Sequence, residues 1–183
     1  MEENLTGAED AAALQGVADP FQRLWTPHRL VYIQNGTQPS DDECPFCIAP
    51  ELTDEQGLIV HRGQTCYVLL NLYPYNSGHL LVVPYRHIPN YTDANEAEIL
   101  EYGALTQKAM QVLKAIGGAH GFNIGMNQGE VAGAGIAGHL HQHIVPRWRN
   151  DSNFFPIIAQ TKSLPKLLGD IRIEIAGAWR NLS

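Results

Sequence analysis

Short apolar runs set off by turn residues, and two longer stretches of helical period, divide this chain into its expected elements. FQRLWTPHRLVYI (21–33) has bulky apolar residues on both sides of a Thr-Pro turn, and its second half, RLVYIQ, reads as a strand. NGTQPSDDE (35–43) is a loop by its turn residues. Three strand-like runs follow, LIVHR, CYVLLNL and HLLVVP. HRGQT separates the first two and YPYNSG the last two, the pattern of an antiparallel meander.

TDANEAEILEYGALTQKAMQVLKAIGG (92–118) is the clearest helix. Asp93 and Glu96 have the spacing of a capping box. Ile99, Tyr102, Thr106, Ala109, Leu113 and Ile116 recur at three- and four-residue steps and share one face, and Gly117 and Gly118 stop the helix. FNIGMNQG reads as the next strand, and the Gly/Ala loop EVAGAGIAG (130–138) leads from it into HLHQHIV. A C-terminal helix is expected over about 163–181, with Leu164, Leu167, Leu168, Ile171, Ile175 and Ala178 on one side. Residues 1–20 are small, polar and acidic and read as a flexible arm; 21–183 read as a single domain.

Composition narrows the function. The 183 residues suffice for one domain with a real core, and the net charge of −7 argues against a nucleic-acid partner, which would meet a basic face. No apolar run approaches the ~18 residues of a membrane span, and the acidic N-terminus lacks the features of a secretory signal, so a cytoplasmic protein is expected. The three cysteines, Cys44, Cys47 and Cys66, are an odd count that speaks against a disulfide framework in a reducing compartment.

HLHQH (139–143) places His139, His141 and His143 at every second position. On a strand the three face one side, with Leu140, Gln142 and Ile144 on the other, and neighbouring imidazoles start about 7 Å apart. Such rings either converge on an ion or orient one another. The glycine-rich loop just before them offers backbone amides to an anion, and a nucleophile beside an anion nest suits phosphoryl or nucleotidyl transfer. CPFC (44–47) has the Cys-x-x-Cys spacing of a zinc knuckle or of a redox pair, and no βαβ pattern surrounds it to favour the latter. Cys66, inside an apolar run, reads as a core residue.

HLHQHIV followed by PR resembles the histidine triad family, whose motif is His-φ-His-φ-His-φ-φ with φ apolar. NLYPYNSGHLLVVPYRHI (71–88) is similar to the family's strand–turn–strand, and MNQG (126–129) to the strand end that carries its asparagine; the motif-bearing core covers about 44–150. The flanks FQRLWTPHRLVYI and PRWRNDSNFFPII resemble the branch of diadenosine-polyphosphate phosphorylases and hydrolases among actinobacterial members. The resemblance implies an α+β fold, a five-stranded antiparallel sheet with a long central helix and a C-terminal helix, in a homodimer.

It also implies cleavage at the α-phosphate of a dinucleoside polyphosphate, with His141 as the nucleophile that becomes nucleotidyl-histidine. By the same resemblance His143 lies within reach of the α-phosphate and Asn127 supports the catalytic site. Asn71 contacts the ribose, Leu72 and Tyr73 flank the base, and His79 supports the triad from the neighbouring strand. Gly135 and Ile136 belong to the phosphate loop. The zinc-binding variants of the family imply a structural Zn2+ held by Cys44, Cys47, His87 and His139. Two departures stand out: Gln142 occupies a φ position, and the stretch Gly135–Gly138 offers amides but no hydroxyl. An adenosine phosphoramidate hydrolase, a non-catalytic nucleotide-binding module and an open-site metalloenzyme are the alternative readings.

Overall fold

The computed structural model describes residues 44–149, 151 and 166–182. The expected arm, the strand at RLVYIQ, the loop at 35–43 and Leu164 lie outside the described residues. In chain order the elements are α1 (Pro45–Ile48), β1 (Ile59–Arg62), β2 (Cys66–Leu70), β3 (Leu80–Pro84), α2 (Glu96–Gly117), β4 (Gly121–Met126), β5 (Gln142–Arg147) and α3 (Leu168–Asn181). The strands form one five-stranded sheet in the order β1-β2-β3-β5-β4, and every neighbouring pair is antiparallel. The α+β architecture expected from the sequence is the one present.

β2 and β3 are buried on both faces, which is why they read as continuous apolar runs. Cys66, Val68, Leu70, Leu80, Val82 and Ile144 point to the layer formed by α2 and α3. Tyr67, Leu69, Leu81 and Val83 point the other way, to a smaller cluster closed by Cys44, Phe46 and Ala49 of the CPFC turn and its sequel. Burial pushes the Cys66 thiol up to about 12, in keeping with a core residue. His61 lies over Trp179 of α3, with ring centroids 4.9 Å apart and nearly parallel.

The central helix differs from its expected form in two ways. Its cap is Asn95, whose side chain accepts from the Glu98 N–H while Glu98 reaches back to the Asn95 N–H. Asn90 and Asp93 instead cap a separate 3-10 turn, Tyr91–Asp93, and Ala94 is extended between the two. The buried stripe is Glu98, Tyr102, Leu105, Ala109, Val112 and Leu113, leaving Ile99 40% exposed. A count of apolar residues alone misses this rotation because Glu98 is charged. Its carboxylate is buried by a fork from Arg86, Nε at 2.7 Å and Nη2 at 2.6 Å, and Arg86 holds it below the usual carboxylate range. Gly118 ends the helix with φ +57°. α3 begins later than expected; Ile171, Ile175, Ala176 and Trp179 are its buried residues, and Leu167 is exposed.

A second carboxylate closes the β1–β2 turn. Glu101 of α2 accepts from the N–H groups of Gln64, Thr65 and Cys66 and from the Thr65 hydroxyl. Burial alone would raise its pKa, and these donors outweigh it and hold the group below the ordinary value. Gly63 is required beside it, because a Cβ there would collide with the Glu101 carboxylate and the Cys66 carbonyl. Glu101→Ala strands three N–H groups and is expected to cost about 1–3 kcal/mol, read as a lower urea midpoint at unchanged m-value.

Candidate functional site

The histidine row is fastened before it becomes a strand. The ladder of β5 starts at Gln142, opposite Val82, and not at His139 as the alternating pattern suggests. The reason is local: the Leu140 N–H donates to the Ile88 carbonyl at 2.7 Å, and the His139 carbonyl accepts from the His141 ring at 2.8 Å. The alternation itself holds. Leu140 and Ile144 enter the helical layer, and Gln142 donates to Thr106 of α2 at 2.6 Å, which satisfies the polar residue at the φ position.

Each ring's proton follows from its partner. His139 Nε2 lies 2.9 Å from the Pro84 carbonyl, which only accepts, so Nε2 carries the hydrogen and Nδ1 keeps its lone pair. His141 Nδ1 faces the His139 carbonyl, so its Nε2 is the basic nitrogen. His79 Nδ1 accepts from the Tyr75 N–H at 3.0 Å, so its Nε2–H donates to His143 Nδ1 at 2.9 Å, and the His143 hydrogen resides on Nε2. Burial holds the His141 pKa below its ordinary value, against a smaller opposing effect of its bond to the His139 carbonyl. Burial and then the neighbouring His141 bring His143 down to about 4. Both rings are neutral near pH 7. His141 and His143 meet edge-on with centroids 5.1 Å apart.

Cys44, Cys47, His87 and His139 place their ligand atoms within 4.8 Å of one another. Cys44 Sγ is 3.4 Å and Cys47 Sγ 3.5 Å from His139 Nδ1, and Cys47 Sγ is 3.2 Å from His87 Nδ1. Sulfur at ~2.3 Å and nitrogen at ~2.0 Å from a tetrahedral ion would stand about 3.5 Å apart, so the donor set fits. The nitrogen that His139 offers is the one left without hydrogen by its bond to Pro84. His87 is brought in by its neighbour Arg86, locked to Glu98.

Asn71 lies beside His79, Nδ2 to Nδ1 at 3.4 Å, in a loop where Leu72 and Tyr73 are 58% and 80% exposed. Ile136 packs against the smaller core cluster, and Gly135 is exposed. Asn127 directly follows β4, level with His141 in the sheet register and half-buried; among the described residues its side chain bonds none of the histidines. Two neighbours escaped the sequence reading. Phe46 packs on His141 and His139 at 4.9 and 5.6 Å, and Tyr75 stacks on His143 at 5.8 Å. Phe46 was detectable in principle, since a residue between two ligands on one turn is carried to whatever those ligands touch.

A family model described as the HIT domain matches residues 53–150. The AP-4-A phosphorylase of Mycobacterium tuberculosis is 46% identical over 170 residues, 90% of this chain and 87% of its own length. The asymmetrical bis(5'-nucleosyl)-tetraphosphatase of Schizosaccharomyces pombe is 32% identical over 93 residues, 51% of this chain and 50% of its own. Among solved structures, a Zn-bound histidine triad family protein from Mycobacterium smegmatis superposes with a TM-score of 0.61 at 23% identity, covering 78% of this chain and 97% of that one. A hypothetical histidine triad nucleotide-binding protein from Sulfolobus tokodaii gives 0.62 at 30% identity, covering 76% and 93%.

Cys44→Ser is expected to lower the metal content measured by atomic emission and to lower Tm; undiminished metal would remove the assignment. His143 sets a pH dependence. Its folded pKa of about 4 lies below the ordinary 6.5, so the folded state binds fewer protons between the two values. Its contribution to stability is complete above pH 6.5 and is lost as pH falls toward 4. The drop in urea midpoint across that window is expected to shrink in His143→Asn.

Proposed function

The chain belongs to the histidine triad family, and from that premise we propose that it cleaves a dinucleoside polyphosphate at the α-phosphate through a nucleotidyl-histidine on His141. One observation carries the reading: a buried, neutral imidazole whose Nδ1–H is tied to a backbone carbonyl and whose Nε2 is left as the nucleophile. A neutral nucleophile suits phosphorus, whose oxygens repel an anion. Nε2 forms the bond to the α-phosphorus as the bond to the polyphosphate leaving group breaks.

His143, with its hydrogen on Nε2, is the donor to an oxygen at that phosphate. Asn127 supports the reacting groups from the end of β4. The amides at Gly135 and Ile136 meet the negative charge that gathers on phosphate. Asn71 receives the ribose, Leu72 and Tyr73 flank the base, and His79 holds the tautomer of His143. The similarity to the mycobacterial AP-4-A phosphorylase over most of both chains favours phosphate as the second nucleophile over water. Attack by phosphate on nucleotidyl-His141 would then release ADP, after ATP has left.

Zn2+ is the metal we assign to Cys44, Cys47, His87 and His139. Four protein ligands make the site closed and structural, and the ion would tie the CPFC turn to the start of the histidine row. The working form is taken to be a cytoplasmic homodimer, and the partner a nucleotide. No helix among the described residues is long and apolar enough to cross a membrane.

Incubation with diadenosine tetraphosphate, with and without inorganic phosphate, is read by product mass. ADP plus ATP only with phosphate is the expected result; AMP plus ATP in both conditions would make the enzyme a hydrolase. His141→Asn is expected to lose covalent labelling and to reduce turnover at least about 10³-fold. Retained labelling would place the nucleophile elsewhere.

A further inference from the structure

The β2–β3 loop, Asn71–His79, carries the nucleotide contacts proposed above, and Leu72 and Tyr73 in it are exposed while Tyr75 stacks on His143. Its shape comes from polar bonds. The Asn71 N–H donates to the His79 carbonyl at 2.9 Å, the His79 N–H to the Asn76 carbonyl at 3.1 Å, and the Tyr73 N–H to Asn71 Oδ1 at 3.0 Å. These bonds lie within the loop, and its C-terminal part meets the triad through the His79 bond to His143 and the stacking of Tyr75 on the same ring.

Asn76 ties the middle of the loop to Pro146 and Asp151. Its Nδ2 donates one hydrogen to the Pro146 carbonyl at 3.0 Å and the other to Asp151 Oδ2 at 2.8 Å. Asp151 also receives a fork from Arg147, Nε at 2.6 Å and Nη2 at 2.9 Å, and the Trp148 N–H at 3.2 Å. Arg147 Nη1 continues to Asn123 Oδ1 of β4 at 2.8 Å. The Asp151 side chain is only 10% exposed, which distinguishes it from an ordinary surface ion pair of small worth. The bonds thus run from Asn123 at the sheet edge, through Arg147 and Asp151, to the loop. PRWRND is the part of the sequence pattern that the proposed chemistry leaves without a task.

We propose that Asn76 and Asp151, oriented by Arg147, are positioning residues that hold the Asn71–His79 loop in its nucleotide-binding form before the nucleotide arrives. The proposal rests on the functional reading above for the identity of the ligand. When a binding-competent form is only partly populated, apparent affinity falls by that fraction, while the bound complex reacts as before. The signature of the clamp is therefore on KM and on nucleotide affinity, not on kcat.

Steady-state kinetics on diadenosine tetraphosphate with phosphate, and calorimetric AMP affinity, would be compared for wild type, Asn76→Ala, Asp151→Ala and the double variant. Each single change is expected to raise KM and the AMP Kd about tenfold with kcat within about twofold. The double variant is expected to be no worse than the worse single, since both break one connection. Asp151→Glu is expected to restore part of the affinity. If the alanine variants do not fold, Asp151→Asn, which keeps an acceptor without the charge, is expected to raise KM in the same direction.

Unchanged KM in folded Asn76→Ala, a fall in kcat alone, or multiplying effects in the double variant would each overturn the clamp. A wild type that binds AMP but turns over no diadenosine tetraphosphate would sink the functional reading only, and the AMP affinities would still decide the clamp. A wild type that binds no AMP would overturn both.

Discussion

The bond between the His139 ring and the Pro84 carbonyl orders the rest of the centre. It places the His139 hydrogen on Nε2 and leaves Nδ1 for the two thiols. The same residue's backbone carbonyl then takes the Nδ1–H of His141 and leaves Nε2 of that ring basic. One residue thereby sets, with its side chain, the nitrogen that faces the thiols and, with its main chain, the nitrogen proposed as the nucleophile. The first depends on β3 ending at Pro84, whose carbonyl faces the row.

The sheet and the Cys44, Cys47, His87, His139 cluster act on the same segment from opposite ends. From Gln142 onward the ladder with β3 and β4 holds the row in register. Ahead of it, the CPFC turn and the Leu140–Ile88 bond hold a segment that makes no regular ladder. Phe46, between the two thiols, sits against His141. A structural metal would therefore bear on the proposed chemistry through packing, without touching substrate.

Carboxylates do much of the long-range tying. Glu98 joins Arg86, just beyond β3, to α2, Glu101 joins the β1–β2 turn to the same helix, and Asp151 joins the β2–β3 loop to Arg147 of β5. Each is satisfied by several donors, which makes burial of its charge tolerable. A protein of net charge −7 thus uses some of its acid groups as internal fasteners rather than as a solvated surface.

Local pattern determined much of this protein. The apolar runs of β2 and β3, the alternation around His139–His143, and the Cys-x-x-Cys spacing are properties of neighbouring residues, and a strand or turn fixes their geometry wherever it lies. The ligand set Cys44, Cys47, His87 and His139 was legible only through family resemblance, since nothing local links positions so far apart. Only the tertiary structure decided the tautomers of His139 and His143, because these depend on the Pro84 carbonyl and on His79 from other segments, whereas the partner of the His141 ring is the His139 carbonyl two residues before it. It also decided the face of α2, where a charged Glu98 is buried because Arg86 reaches it from just beyond β3. The role of Asp151 was hidden for the same reason: a carboxylate in a polar run looks solvated until an asparagine 75 residues earlier arrives beside it.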